Sequence, residues 1–136
     1  MQLNPMLTFN GQCEAAFKFY EQCLGGKIQT IMTWGESPMA EQVPSEWRDR
    51  IIHVSLMLGE AALLGGDAPP DRYEKPQGLA VTIQVKDAAE GERIFNELAE
   101  KGTVQMPFQK TFWSSGFGVC VDRFDIPWMV NCQHSA

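Results

Sequence analysis

One pattern is written twice in this chain, and the repetition limits what the chain can fold into. Cys13, Ala16, Phe17, Tyr20 and Leu24 fall at the spacing of an apolar helix stripe, and Gly91, Ile94, Phe95, Leu98 and Gly102 repeat it 78 positions later. Ahead of the first helix, Leu3, Pro5, Leu7 and Phe9 alternate with Asn4, Met6 and Thr8; ahead of the second, Leu79, Val81, Ile83 and Val85 alternate with Ala80, Thr82 and Gln84. Strand positions repeat at an offset of 76, so the strand-to-helix turns differ by two residues. Each helix is expected to close on glycine, at Gly25-Gly26 and at Gly102, where a left-handed residue is least strained. A second strand follows in each copy, Ile28 to Trp34 and Val104 to Trp113, and then a hairpin. The first hairpin runs from Ile51 to Leu64 with its turn at Gly59-Glu60, and the second from Gly116 to Cys132.

The unit is therefore strand, helix, three strands, and the fold class is α+β: two paired βαβββ modules within one domain of residues 1–136. The first module spans 1–66, the second 78–134, and a linker of 67–77 with three prolines joins them. Each helix covers the greasy face of its sheet, leaving mixed faces to curl into a shared concavity. Gly35 to Trp47, with Pro38 and Pro44, is a polar arm absent from the second copy; it either covers a pocket, reaches another subunit or is a solvated loop.

A net charge of -6 without a Lys/Arg cluster opposes phosphate backbones and anionic lipid, so neither nucleic acid nor membrane is expected as a partner. No apolar run approaches the roughly 20 residues of a spanning helix, and the first residues lack a secretory pattern, which makes cytoplasm the expected location. Cys13 and Cys23 lie about 15 Å apart along one helix and cannot pair. Cys120 and Cys132 are placed to face each other across the last hairpin, yet all four cysteines are read as reduced thiols.

Several segments in register carry a family resemblance. They are Ala15-Ala16-Phe17-Lys18-Phe19-Tyr20 before Gly25-Gly26, Val43-Pro44-Ser45-Glu46-Trp47, Gly66-Asp67-Ala68-Pro69-Pro70, Met106-Pro107-Phe108-Gln109-Lys110-Thr111-Phe112-Trp113, and Asp122 through Cys132. On these the chain resembles the vicinal-oxygen-chelate superfamily, the glyoxalase/bleomycin resistance/dioxygenase fold, and within it the PhnB-like group. The resemblance implies a cup-shaped, eight-stranded mixed sheet, commonly in a homodimer. It leaves the reaction open, since the superfamily includes metal-dependent isomerases, lyases, dioxygenases and thiol transferases beside metal-free drug-binding proteins. The family's last turn resembles Asp-Arg-Phe-Gly; here Asp125 stands for the glycine and is expected to take the left-handed backbone at modest strain.

Metal-dependent members place ligands on the first and last strands of each module. By that resemblance the positions fall here on Asn4, Ala80, Met129 and the end of the fourth strand, Leu64-Gly65-Gly66, with Asp67 one step beyond. Asn4, Ala80 and Met129 are not ordinary ligands for a transition ion. Only two histidines exist, His53 and His134, and a facial triad would need both. No metal and no cofactor is therefore expected.

His53, Ser55 and Met57 alternate with Ile52, Val54, Leu56 and Leu58, which puts His53 on the mixed face as a candidate acid or base, a ligand anchor or a structural histidine. Thr8, Gln84, Met129 and Asn131 share that kind of face, and Trp34, Trp113 and Phe117 stand where flat rings can wall a ligand. Trp47 and Trp128 are read as structural. The candidate ligand-binding set is thus Thr8, Trp34, His53, Ser55, Gln84, Trp113, Phe117, Met129 and Asn131. One reading is a metal-free protein that binds a small, partly aromatic molecule; the other is a glyoxalase- or dioxygenase-like enzyme working through His53 or an unrecognised metal site. Methyl transfer, sometimes attached to this group, lacks its glycine-rich strand-to-helix turn and the acidic residue that ends the next strand.

Overall fold

The computed structural model describes residues 1–133; His134, the second histidine weighed above, lies outside them. The chain divides into two compact units, Met1–Glu74 and a second beginning at Lys75. The first holds β1 (Met6–Phe9), α1 (Cys13–Leu24), β2 (Lys27–Thr33), β3 (Ile51–Leu58) and β4 (Ala61–Asp67). The second holds β5 (Val81–Val85), α2 (Ala88–Ala99), β6 (Thr103–Gln109), β7 (Ser114–Val121) and β8 (Pro127–Gln133). Each sheet has four strands in equivalent order, β1-β4-β3-β2 and β5-β8-β7-β6, with the first pair parallel and the others antiparallel. The expected α+β fold of two βαβββ modules is present.

Helix stripes and sheet faces meet as the periodicity requires. Cys13, Ala16, Phe17 and Tyr20 are fully buried, and Phe17 packs edge-on to Phe9 and Tyr20. Each such aromatic ring contributes roughly 1.5–3 kcal/mol through burial. The fifth stripe position is taken by Cys23, 2% exposed, while Leu24 is only partly covered. In the second unit Ile94, Phe95 and Leu98 face the Trp128, Val130 and Cys132 side of β8. A side chain at Gly65 would enter the Phe17 ring, and one at Gly118 the Phe95 ring. The equivalent phenylalanines of the two helices thus each lie on a glycine. Gly118→Ala is expected to cost about 1–3 kcal/mol through overpacking, measurable as a lowered denaturant midpoint.

Even an irregularity repeats. Ile28 pairs with Leu56 and Thr30 with Ser55, leaving Gln29 extra on β2; Val104 pairs with Cys120 and Met106 with Val119, leaving Gln105 extra on β6. Gln29 and Gln105 are 76 positions apart, the strand offset of the sequence. A bulge that recurs with the repeat is a built feature of the edge strand.

The structure corrects five local expectations. β1 starts at Met6, and Leu3 (90% exposed) and Pro5 lie outside it, because β4 offers Met6 its last partner at Leu64. Gly25 closes α1 with φ 77, but α2 ends at Ala99 and the left-handed residue after it is Lys101, φ 62. Gly102 is needed for a different reason: a Cβ there would meet the Val121 carbonyl and the Asp122 backbone. β6 stops at Gln109, so Trp113 belongs to the loop before β7. Cys120 lies opposite Trp128, and Cys132 opposite Gly116, so the two cysteines do not face each other. Finally, β4 runs through Asp67, the residue expected to begin the linker. All four cysteines are buried thiols outside any disulfide, and burial pushes the Cys120 thiol up to about 11, with Asp122 adding to the shift.

Candidate functional site

Asp67 organises one end of the first module. It is 4% exposed, its Oδ1 accepts the N–H groups of Gly11 (2.9 Å) and Cys13 (3.0 Å), and its Oδ2 accepts that of Ile51 (2.9 Å). Gln12, at the start of α1, makes no side-chain cap, so Asp67 supplies the missing acceptor from a strand 54 positions away. In the second module Asp87 caps α2 locally through the Glu90 N–H. Burial raises the Asp67 carboxyl above its ordinary 3.8, against the downward pull of the three N–H groups and Arg50. With both oxygens engaged by backbone, this carboxylate is a structural tie.

Beside it lies a hollow of about 310 Å3, lined by Met6, Thr8, Trp34, Met39, Ile52, Gly66, Asp67, Ala68, Pro69 and Arg72. Trp34 is 7% exposed and its indole N–H donates to the Asp67 carbonyl at 3.0 Å, which fixes the ring in the wall. Met39 comes from the arm, whose ends are held by Trp34 N–H to the Arg50 carbonyl and Gly35 N–H to the Arg48 carbonyl. Strict strand alternation predicts Ile52 on the helix side. Met32 pairs with His53 and Thr33 with Ile51, so Ile52 is an extra residue on β3, alternation breaks, and Ile52 lines the hollow. His53 is half-buried opposite Met32 and is not among the lining residues; Ser55 is 8% exposed between Thr30 and Leu64.

The second module carries a larger hollow of about 650 Å3 on its helix-free face. Register shows which residues share that face. Thr82, Met129 and Val119 form one cross-strand row, and Gln84, Asn131 and Phe117 the next. Met129, Ala80, Val119, Val121, Thr103 and the bulge residue Gln105 line the hollow, and the chain from Lys75 to Leu79 completes the wall. Lys75 pairs with Asp125 at 3.8 Å; both are well exposed, so the pair adds little stability. Asp125 takes the left-handed backbone expected of it, φ 69, with its N–H on the Asp122 carbonyl.

In the adjoining row Asn131 Nδ2 donates to Gln84 Oε1 at 2.8 Å, while among the described residues Asn131 Oδ1 is buried without a hydrogen-bond partner. Phe117 packs edge-on to Trp113, with centroids 5.5 Å apart, and Phe112 lies against Trp113 at 4.7 Å. The structure therefore brings Thr8 with Trp34, and Gln84 with Met129, Asn131, Phe117 and Trp113. Among the described residues no three His, Cys, Asp or Glu side chains are grouped to hold a metal ion. Ala80 and Met129, two positions at which the superfamily resemblance implies ligands, are instead apolar parts of a wall.

A family model described as 3-demethylubiquinone-9 3-methyltransferase matches residues 1–131. The chain belongs to this family. Protein YjdN of Escherichia coli K12 is 32% identical to it, covering 96% of this chain and 95% of its own. Protein PA1353 of Pseudomonas aeruginosa, a crystal structure, is 43% identical over 99% of both chains with a TM-score of 0.90. A PhnB protein of Bacillus cereus shares the fold at TM-score 0.81 and 19% identity, over 97% of this chain and 99% of that one. The same fold extends at TM-score 0.65 and 10% identity to a glyoxylase/bleomycin resistance protein/dioxygenase domain from Frankia, over 98% of each chain. This PhnB-like chain thus has the glyoxalase-type fold that its motifs resemble. Its strand-to-helix turns, Asn10–Gln12 and Lys86–Asp87, are short and lack the glycine-rich loop that seats a nucleotide-type cofactor. No helix among the described residues is long and apolar enough to cross a membrane.

Proposed function

We propose that this PhnB-like protein binds a small, partly aromatic organic molecule on the helix-free face of its second sheet, without a catalytic metal. The observation that carries the reading is the wall of the 650 Å3 hollow, where Ala80 and Met129 occupy positions that the superfamily resemblance gives to metal ligands. Neither an aliphatic side chain nor a thioether suits a hard or borderline divalent ion. Both suit an organic guest, and the volume falls within the roughly 300–1,000 Å3 range of small-molecule sites.

The Gln84–Asn131 pair lies outside the hollow's lining, in the next row of the same face, and offers polar anchoring to a guest that extends along that face. One amide oxygen is spent on the other's NH2, so whichever way the two amides are turned, the pair keeps one acceptor and one donor. A buried acceptor left without a donor costs about 1–3 kcal/mol, which a guest N–H or O–H recovers. Phe117 and Trp113 offer ring edges beside this pair for a flat guest.

The test is native mass spectrometry and metal analysis of protein purified without chelator. A co-purifying organic molecule and sub-stoichiometric transition metal are expected. Met129→Arg, which sets a cation in the apolar wall, is expected to weaken calorimetric binding of that molecule at least about tenfold, equal to 1.4 kcal/mol. A tightly held transition ion at one per chain, lost on replacing Ala80 or Met129, would overturn the proposal.

A further inference from the structure

The hollow of the first module has a chemistry of its own, and its lining shares no residue with the hollow of the second. Its wall is largely apolar, with Met6, Trp34, Met39, Ile52 and Pro69 on it, and one side chain of the lining, Arg72, is a cation. From this arrangement we propose that the first-module hollow is a site for a small organic carboxylate, its apolar body against the methionines and its head group on Arg72.

Arg72 is placed for that task by backbone. Its N–H donates to the Pro69 carbonyl at 2.8 Å and the Tyr73 N–H to the same oxygen at 3.0 Å, so the turn after β4 holds Arg72 at the rim. Among the described residues its guanidinium forms no ion pair, and the pairs Lys18–Glu14, Lys75–Asp125 and Arg93–Glu97 lie elsewhere. The other charged group of the lining, Asp67, does not compete for it. Both Asp67 carboxylate oxygens accept backbone N–H groups, and its carbonyl takes the Trp34 indole. Thr8 Oγ1 makes no hydrogen bond among the described residues and lies in the same lining, a neutral donor for a remaining lone pair of the carboxylate.

An arginine fork matches a carboxylate with two parallel hydrogen bonds, which a carboxamide of equal size cannot reproduce. Unbranched methionine side chains adjust to either a ring or an alkyl chain. At about 310 Å3 the hollow sits at the small end of ligand sites, suited to a single ring or a short chain.

Methionine-methyl NMR of the full chain tests the site, because Met6 and Met39 line this hollow whereas Met129 lines the other. Benzoate and hexanoate are titrated in parallel with benzamide and hexanamide, with methyl signals assigned by single Met→Leu variants. At least one acid is expected to shift Met6 and Met39 with affinity about tenfold or more above its amide. Arg72→Gln, an exposed replacement, is expected to erase that preference while leaving the remaining methyl spectrum in place. Equal response to acid and amide, a preference that survives Arg72→Gln, or no shift of Met6 and Met39 with either acid would overturn the proposal. Shifts confined to Met129 would overturn it too and assign the acids to the second hollow, so failure here is distinguishable from failure of the binding function proposed above.

Discussion

Replacing Asp67 with alanine is expected to lower folding stability by about 3–5 kcal/mol, seen as a fall in denaturant midpoint at unchanged slope. The substitution orphans three backbone donors at once, those of Gly11, Cys13 and Ile51, two of them on fully covered residues. Asp67→Asn is expected to cost less, because its oxygen keeps two donors while its NH2 confronts the Ile51 N–H. The pair also separates charge from geometry. Burial raises the native carboxyl above 3.8, so the native state favours the protonated form. That contribution is complete below 3.8 and lost as pH rises through the raised value. The stability difference between wild type and Asp67→Asn should therefore narrow across that window on going toward neutrality. A difference that widened there would show that the three N–H groups outweigh burial.

The second large effect belongs to Trp128. It is 1% exposed, pairs with Cys120 and Val81 on the helix side of its sheet, and donates its indole N–H to Asp122 Oδ2 at 2.8 Å. Asp122 Oδ1 accepts the N–H groups of Phe124 (2.7 Å) and Ile126 (3.0 Å), shaping the β7–β8 turn. Trp128→Ala removes the ring and a donor to that carboxylate, and about 3–5 kcal/mol should be lost. Trp128→Phe keeps most of the ring and should cost about 1–3 kcal/mol, the share of the hydrogen bond. Equal losses in the two variants, read by denaturant unfolding, would assign the whole effect to that bond.

Features governed by period were legible in the sequence. The two helix stripes, the strand offset of 76 and the Gly59-Glu60 turn all follow from local alternation or local backbone chemistry. So did the shared face of Gln84, Met129 and Asn131, since parity within β5 and β8 is uninterrupted. What the sequence hid depends on partners distant in the chain. Leu3 continues the alternation of β1 in letters, but no strand residue pairs with it. Ile52 has the right parity for the helix side, but it is itself the extra residue between the pairs Met32–His53 and Thr33–Ile51. Arg72 stands in a proline-rich linker with no periodicity to draw attention to it. Asp67 stood one step past a suspected ligand position, and only the three-dimensional meeting of Gly11, Cys13 and Ile51 shows why an acid is there.

The unequal way in which α1 and α2 begin has a consequence in time. The second helix receives its acceptor from the residue just ahead of it, so its first turn can set as soon as a few neighbours are in place. The first must wait for a loop of 54 positions to close before its start is secured. On a ribosome the acceptor for α1 is made only with β4, so α1 is expected to be secured later after its own synthesis than α2 is.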